Sequence, residues 1–107
     1  MNFEMRRQRS ATRVSNLLSD PYPRGKVASY GQVAEAAGYP RGHRLVARFL
    51  RDISGIGLPW QRVIGAGGEV KTTGRSAAKQ RALLKEEGVQ SENARINLEQ
   101  YGHIFED

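Results

Sequence analysis

Apolar residues recur along this chain in short bursts divided by glycine and proline, and the spacing within each burst predicts a mostly helical domain. Val14, Leu17 and Leu18 stand at helical intervals within Asn2 to Ser19, with arginines on the other faces. This predicts a helix over residues 2–19, frayed at its start. Asp20-Pro21-Tyr22-Pro23-Arg24-Gly25-Lys26 ends it, because two prolines and a glycine cannot carry a helix forward. Ser29-Tyr30-Gly31-Gln32 has the spacing of a capping box, in which Ser29 and Gln32 satisfy each other's backbone N–H. Val33, Ala34 and Ala37 then give a short helix a narrow, small-residue apolar face that ends at Gly38. Tyr39-Pro40-Arg41-Gly42 predicts a turn, and His43 to Asp52 a second helix with Leu45, Val46, Phe49 and Leu50 on one side. Arg41, Arg44, Arg48 and Arg51 share that short segment, and they cannot all be buried.

Asp52 to Gly57 reads as a glycine-containing loop leading into Leu58-Pro59-Trp60-Gln61-Arg62-Val63-Ile64, which holds the single tryptophan. Val63-Ile64 and Glu69-Val70-Lys71, joined by Gly65-Ala66-Gly67-Gly68, predict a small β-hairpin, the wing that accompanies many helix pairs. Thr72 to Ser76 predicts a second loop carrying Arg75. Ser76 would cap a helix from Ala77 to Glu87 that turns Ala82, Leu83 and Leu84 to the core and closes at Gly88. The tail over residues 90–107 is polar except for Ile96, Leu98, Tyr101, Ile104 and Phe105, so part of it should pack back. No repeat or linker divides the chain, and residues 1–107 read as a single domain.

Charge changes this picture more than composition does. Seventeen Lys and Arg against eleven Asp and Glu leave a net charge of +6. Most of the excess is arginine, whose planar fork bonds two phosphate oxygens at once. That balance points towards nucleic acid. There is no apolar run long enough to predict a transmembrane helix, so no membrane partner is expected. The basic N-terminus lacks a following apolar stretch, so the expected compartment is the cytoplasm, on the nucleoid if the source is bacterial. The absence of cysteine excludes disulfides, thiolate metal sites and thiol nucleophiles. Two histidines, His43 and His103, do not make a metal centre, and neither lies in a Ser or Asp arrangement suited to catalysis. Gly65 to Gly68 is followed by no Gly-Lys-Ser/Thr and so is not a phosphate loop. Glu86-Glu87 at a helix end reads as a solvated pair. No metal, cofactor or catalytic residue is predicted.

Binding is what remains. Two short helices joined by a tight turn, the second rich in arginine, form a helix-turn-helix pattern that would offer Arg44 and Arg48 to a groove. A solvated arginine face on an ordinary helical hairpin stays open as the alternative. Trp60 beside Val63 and Ile64 fits a core anchor. It also fits an aromatic wall for an extruded base, since stacking is worth roughly 1–3 kcal/mol per base.

Ordered motifs along the chain now add a resemblance. Pro23-Arg24-Gly25-Lys26-Val27-Ala28-Ser29-Tyr30-Gly31-Gln32-Val33-Ala34 resembles the Pro-x-Gly-x-Val-x-Thr/Ser-Tyr-Gly-x-Ile/Val-Ala signature of the alkylguanine-DNA alkyltransferases. Gly38-Tyr39-Pro40, with Arg44 and Val46 beyond it, resembles their recognition helix. Pro59-Trp60-Gln61-Arg62-Val63-Ile64 is similar to their active-site Pro-Cys-His-Arg-Val-Ile/Val, and Leu83-Leu84-Lys85-Glu86-Glu87-Gly88-Val89 to their closing helix. The match runs from about residue 23 to 89, and Asn97-Leu98-Glu99-Gln100-Tyr101 is similar to the tail of some members.

The departure that matters is Trp60 in the place of the alkyl-accepting cysteine. Without a thiolate there is no acceptor, so repair by alkyl transfer is chemically excluded. Tryptophan there marks the alkyltransferase-like proteins, which bind O(6)-alkylguanine, flip it and hand it to nucleotide excision repair. The resemblance implies a mainly α, winged helix-turn-helix-like DNA-binding domain with a small β-hairpin, monomeric and non-enzymatic. Its implied partners are duplex DNA containing O(6)-alkylguanine and nucleotide excision repair proteins.

By the same resemblance, helix 43–51 would lie in the minor groove, with Ser29, Tyr30, Gln32, Arg41, Gly42, His43, Arg44 and Arg48 on the DNA. Tyr30 would crowd the 3′ phosphate and promote flipping, and Arg44 would fill the gap left in the duplex. Trp60, Tyr30, Val63, Ile64 and Arg75 would form the lesion pocket, Val63 and Ile64 through their backbone, while Arg62 would be structural. Gln61 stands where the family has the histidine that activates its cysteine. The stretch from Arg44 to Trp60 is one residue short, so loop 52–58 should differ in shape. Equal spacing puts Thr73 at the place of the lesion-loop arginine, and Arg75 could serve only if that loop shifts. Two other readings stand beside this one: a winged-helix regulator that reads sequence in the major groove, and a residual hydrolase or transferase using Glu87 and a water.

Overall fold

The structure, a computed structural model, describes residues 13–19, 24–52, 58–92 and 95–105. Of the helix predicted over 2–19, residues 13–19 are helical (α1), and the rest lies outside the described residues, as does most of loop 52–58. Next come β1 (Ala28–Ser29), α2 (Tyr30–Ala36) and α3 (His43–Asp52), then a 3-10 turn at Trp60–Arg62 and β2 (Val63–Ile64). A second 3-10 turn at Ala66–Gly68 leads to α4 (Gly74–Glu86), β3 (Ser91–Glu92), β4 (Arg95–Ile96) and α5 (Leu98–Tyr101). This is a mainly helical fold, as the spacing predicts.

Its organiser is a short parallel ribbon. β1 pairs with β2 in the register Ala28↔Val63 and Ser29↔Ile64. Successive side chains of a strand point to opposite faces, and here each face receives a core of its own. Ala28 and Val63 join Val14, Leu18, Val33, Ala34, Ala37, Val46 and Leu50, so α1, α2 and α3 share the first core. Val27 and Ile64 join Leu84, Val89 and Ile96, so α4 and the tail share the second. α3 and α4 therefore lie on opposite sides of the ribbon. Val27 is fully buried, and the tail satisfies its backbone: Val27 N–H donates to Tyr101 O, and His103 N–H donates to Val27 O, both at 2.8 Å. Ile96, Leu98, Tyr101 and Phe105 accordingly pack back onto the cores, whereas Ile104 stays in solvent.

The hairpin lies elsewhere than the sequence suggests. Val63-Ile64 pairs with β1 rather than with Glu69-Val70-Lys71, because two fully buried apolar residues fit an internal parallel pairing better than a half-solvated wing. Gly67 (φ +77°) and Gly68 (φ +89°) roll the chain into the 3-10 turn, and the Gly65 N–H closes the loop on Glu69 O at 2.6 Å. Glu69 then bridges Arg95, and the antiparallel hairpin is β3 with β4, in the tail.

A Cβ placed on Gly68 would fall on the backbone carbonyl oxygen of Ile96, in a backbone conformation that disfavours side chains. Gly68→Ala is therefore expected to destabilise the fold by about 3 kcal/mol, from left-handed strain plus overpacking. A chemical denaturation midpoint equal to wild type would contradict this.

α4 also differs in detail. It begins at Gly74 behind Thr73, which makes no side-chain cap bond, so Ser76 sits inside the first turn and is not the cap. Ala77, Gln80 and Leu84 are buried, Leu83 is half-buried, and Ala82 is exposed. The 77–80–84 spacing is a helical stripe whose middle member is polar. Counting only apolar residues misplaces the face.

Candidate nucleic-acid interface

The helix pair is built from local rules. The Gln32 N–H donates to Ser29 Oγ at 3.1 Å, and the Ser29 N–H donates to Gln32 Oε1 at 2.8 Å, which completes the capping box. Both side chains are engaged in starting α2, whose first residue, Tyr30, packs half-buried against the first core. Burial raises the pKa of the Tyr30 phenol. It thus stays a neutral hydroxyl, able to donate to a phosphate.

The turn between the helices is held from α1. Arg13 Nη1 donates to Ala37 O at 3.3 Å, and its guanidinium lies 5.6 Å from the Tyr39 ring centroid. Gly42 N–H bonds to Tyr39 O at 2.8 Å, and Arg41 takes a left-handed φ of +67°, rare for a residue with a side chain. α3 then buries Val46 and Leu50, and 3.6 residues per turn put Arg44, Arg48 and Arg51 on the opposite face. Arg41, His43, Arg44, Arg48 and Arg51 are all exposed. The structure thus places Arg44 and Arg48, the predicted groove-facing pair, on one side of α3, whereas His43 stands in line with the Val46–Leu50 stripe.

Trp60 opens its 3-10 turn straight after Pro59 and rests half-buried on the first core, which Tyr30 also flanks. Val63 and Ile64 are 0% exposed, and their side chains point into opposite cores. What they can offer a ligand is backbone alone. Arg75 is brought to a different place. It is the second residue of α4, not a loop residue, and helical geometry puts it opposite the Gln80–Leu84 face that looks towards the Trp60 segment.

Gln80 of α4 and Glu87, the residue that caps its C-terminus, fix the Trp60 turn, and reading the sequence alone assigns neither that role. The fully buried Gln80 donates through Nε2 to Gln61 O and Val63 O, both at 3.0 Å, and accepts from Thr72 Oγ1 at 2.8 Å. Glu87 is no solvated residue: its side chain is 3% exposed. Its Oε1 accepts from Arg62 Nε and Gly25 N–H, and its Oε2 accepts from Gln61 Nε2, all at 2.8 Å. Desolvation alone would raise the Glu87 pKa, but the bonds from Gly25, Gln61 and Arg62, with the Arg62 charge, outweigh it and leave the carboxyl below its ordinary value. Gln80 was detectable as a polar residue inside an apolar stripe. Glu87 had no such signal, since its partners come from 25 to 62 positions away.

The family model described as "6-O-methylguanine DNA methyltransferase, DNA binding domain" matches residues 10–89. A Vibrio parahaemolyticus "DNA base-flipping protein" is 41% identical over 81 residues, which are 74% of this chain and 81% of that protein. "Alkyltransferase-like protein 1" of Schizosaccharomyces pombe is 37% identical over 71 residues, 64% of this chain and 66% of that one. Among solved structures, S. pombe Atl1 in complex with damaged DNA containing O6-carboxymethylguanine matches with a TM-score of 0.79 at 27% identity, covering 100% of both chains.

Proposed function

We propose that this chain, which belongs to the family of the 6-O-methylguanine DNA methyltransferase DNA-binding domain, recognises O(6)-alkylguanine in duplex DNA and marks it for removal by other proteins. Within that family it is an alkyltransferase-like, non-enzymatic member, a DNA-damage-binding protein. The observation that carries the reading is Trp60: the family's acceptor position holds an indole, and the whole sequence has no cysteine. The bound duplex lies against α3 through its minor groove, with Arg44 filling the space of an extruded nucleotide and Tyr30 against the 3′ phosphate. The alkylated base stacks on Trp60. Lesions held this way pass to nucleotide excision repair. Support for a fixed indole comes from the four bonds by which Gln80 and Glu87 hold the backbone and side chains of residues 61–63. A wall that is already ordered loses little conformational entropy when a base arrives.

The direct test compares one duplex with and without a single O(6)-methylguanine at a stated salt concentration, because phosphate contacts dominate non-specific affinity. Tighter binding to the lesion duplex is expected. Equal affinity would end the proposal.

Trp60→Cys should not restore repair. Gln61 has no basic atom with which to generate a thiolate, and its amide is already committed to Glu87. Incubating that variant with labelled alkylguanine DNA should leave the label on DNA; stoichiometric transfer to protein would refute the expectation.

A further inference from the structure

We infer that the exposed face of α4 is a second DNA-binding surface, which holds another duplex segment by its phosphates while α3 engages the first. α4 buries Ala77, Gln80 and Leu84. At 3.6 residues per turn, the arc facing solvent carries Arg75 and Lys79 along one edge, where the acidic Glu86 follows in the last turn, and Arg81 and Lys85 along the other, with Ala78 and Ala82 between them. All four cations are exposed, and among the described residues none forms an ion pair. Two rows of cations flanking a strip of small side chains suit a phosphate backbone, which can approach the helix closely between them.

The same charges do not suit the helix itself. Arg75–Lys79 and Arg81–Lys85 are like-charge pairs four residues apart, which repel. The first turn holds Arg75 and no acid, against the preference of the helix dipole for negative charge there, and no side chain caps it. Such conflicts with local rules are expected at functional or strained sites, and of the four cations only Lys85, in the last turn, agrees with the dipole. Arg24 adds to the cluster by donating to Glu86 O at 3.1 Å, at the far end of the helix.

Direction sets this surface apart from the first. The exposed faces of α3 and α4 point away from opposite sides of the β1–β2 ribbon, so one straight duplex cannot lie along both. The inference uses the lesion-binding proposal only for what occupies α3.

The test immobilises a short duplex with one O(6)-methylguanine, loads limiting protein and measures capture of a labelled undamaged duplex. Lys79→Ala/Arg81→Ala/Lys85→Ala should lower capture at least about fivefold and flatten the salt dependence of capture by a slope of about two to three, near 0.9 for each lost phosphate contact. Its affinity for the immobilised duplex alone should stay within about twofold of wild type. Its melting temperature should equal or exceed wild type, because repulsion is removed and alanine favours helix. Unchanged capture, or parallel loss of capture and of simple affinity, would overturn the second surface. Wild type that ignored the lesion while the variant still lost capture would sink the lesion proposal and leave this one intact.

Discussion

Glu87→Ala is expected to destabilise the protein by about 3 kcal/mol or more, the range for removing one partner of a buried ion pair. The loss spreads over three sites: Arg62, with a side chain 14% exposed, would lose the Glu87 carboxylate, and Gly25 N–H and Gln61 Nε2 would lose their acceptor. For a domain of this size that corresponds to a fall of roughly 12 °C or more in Tm. Urea denaturation with tryptophan fluorescence reads the effect at its source, since Trp60 adjoins the released turn. A loss below about 1 kcal/mol would show that the carboxylate is solvated in solution.

The pH dependence of this contribution has a definite sign. The folded pKa of Glu87 lies below its ordinary value. The ionised form is thus the one the fold stabilises, and the contribution is complete at neutral pH. It declines as pH drops below about 4.3 and through the folded value. The stability gap between wild type and Glu87→Gln should therefore be widest near pH 7 and narrow in acid. A gap that widened as pH fell would reverse the assignment.

Arg44→Ala should weaken binding to an alkylguanine duplex by at least about tenfold. Extruding a base costs a few kcal/mol, and without a side chain to occupy the gap that penalty stands against binding. Arg44 is exposed in the first turn of α3, on the face opposite Val46 and Leu50, so its removal leaves no cavity and the fold should keep its stability. Undamaged duplex, which requires no extrusion, should lose only the affinity of one phosphate-contacting cation. A variant that bound lesion DNA as tightly as wild type, measured by fluorescence anisotropy at fixed salt, would remove Arg44 from the proposed role.

Much of this protein was legible residue by residue because its determinants are local. The Ser29–Gln32 box, α3 from His43 to Asp52 and the left-handed Gly88 after α4 each depend on neighbours within about four positions. The family motifs were legible for the same reason, being contiguous strings. The misplaced hairpin and the misread α4 face share the opposite cause. Val63-Ile64 looks the same in sequence whether it pairs with Glu69-Val70-Lys71 or with Ala28-Ser29, and burial on both faces decides between them.

The sequence by itself determined the chemistry this protein lacks and the side of the helix pair it charges: no thiol, Trp60 in its place, and arginines opposite Val46 and Leu50. Only the tertiary structure decided what holds Trp60 and which way α4 faces. Glu87 changes from a solvated acid to the buried partner of Arg62, and Arg75 from a loop residue to one edge of a second cationic face. The physical reason is that both outcomes depend on what packs on each side of a two-residue ribbon. That ribbon joins segments more than thirty positions apart, a relation that no local spacing encodes.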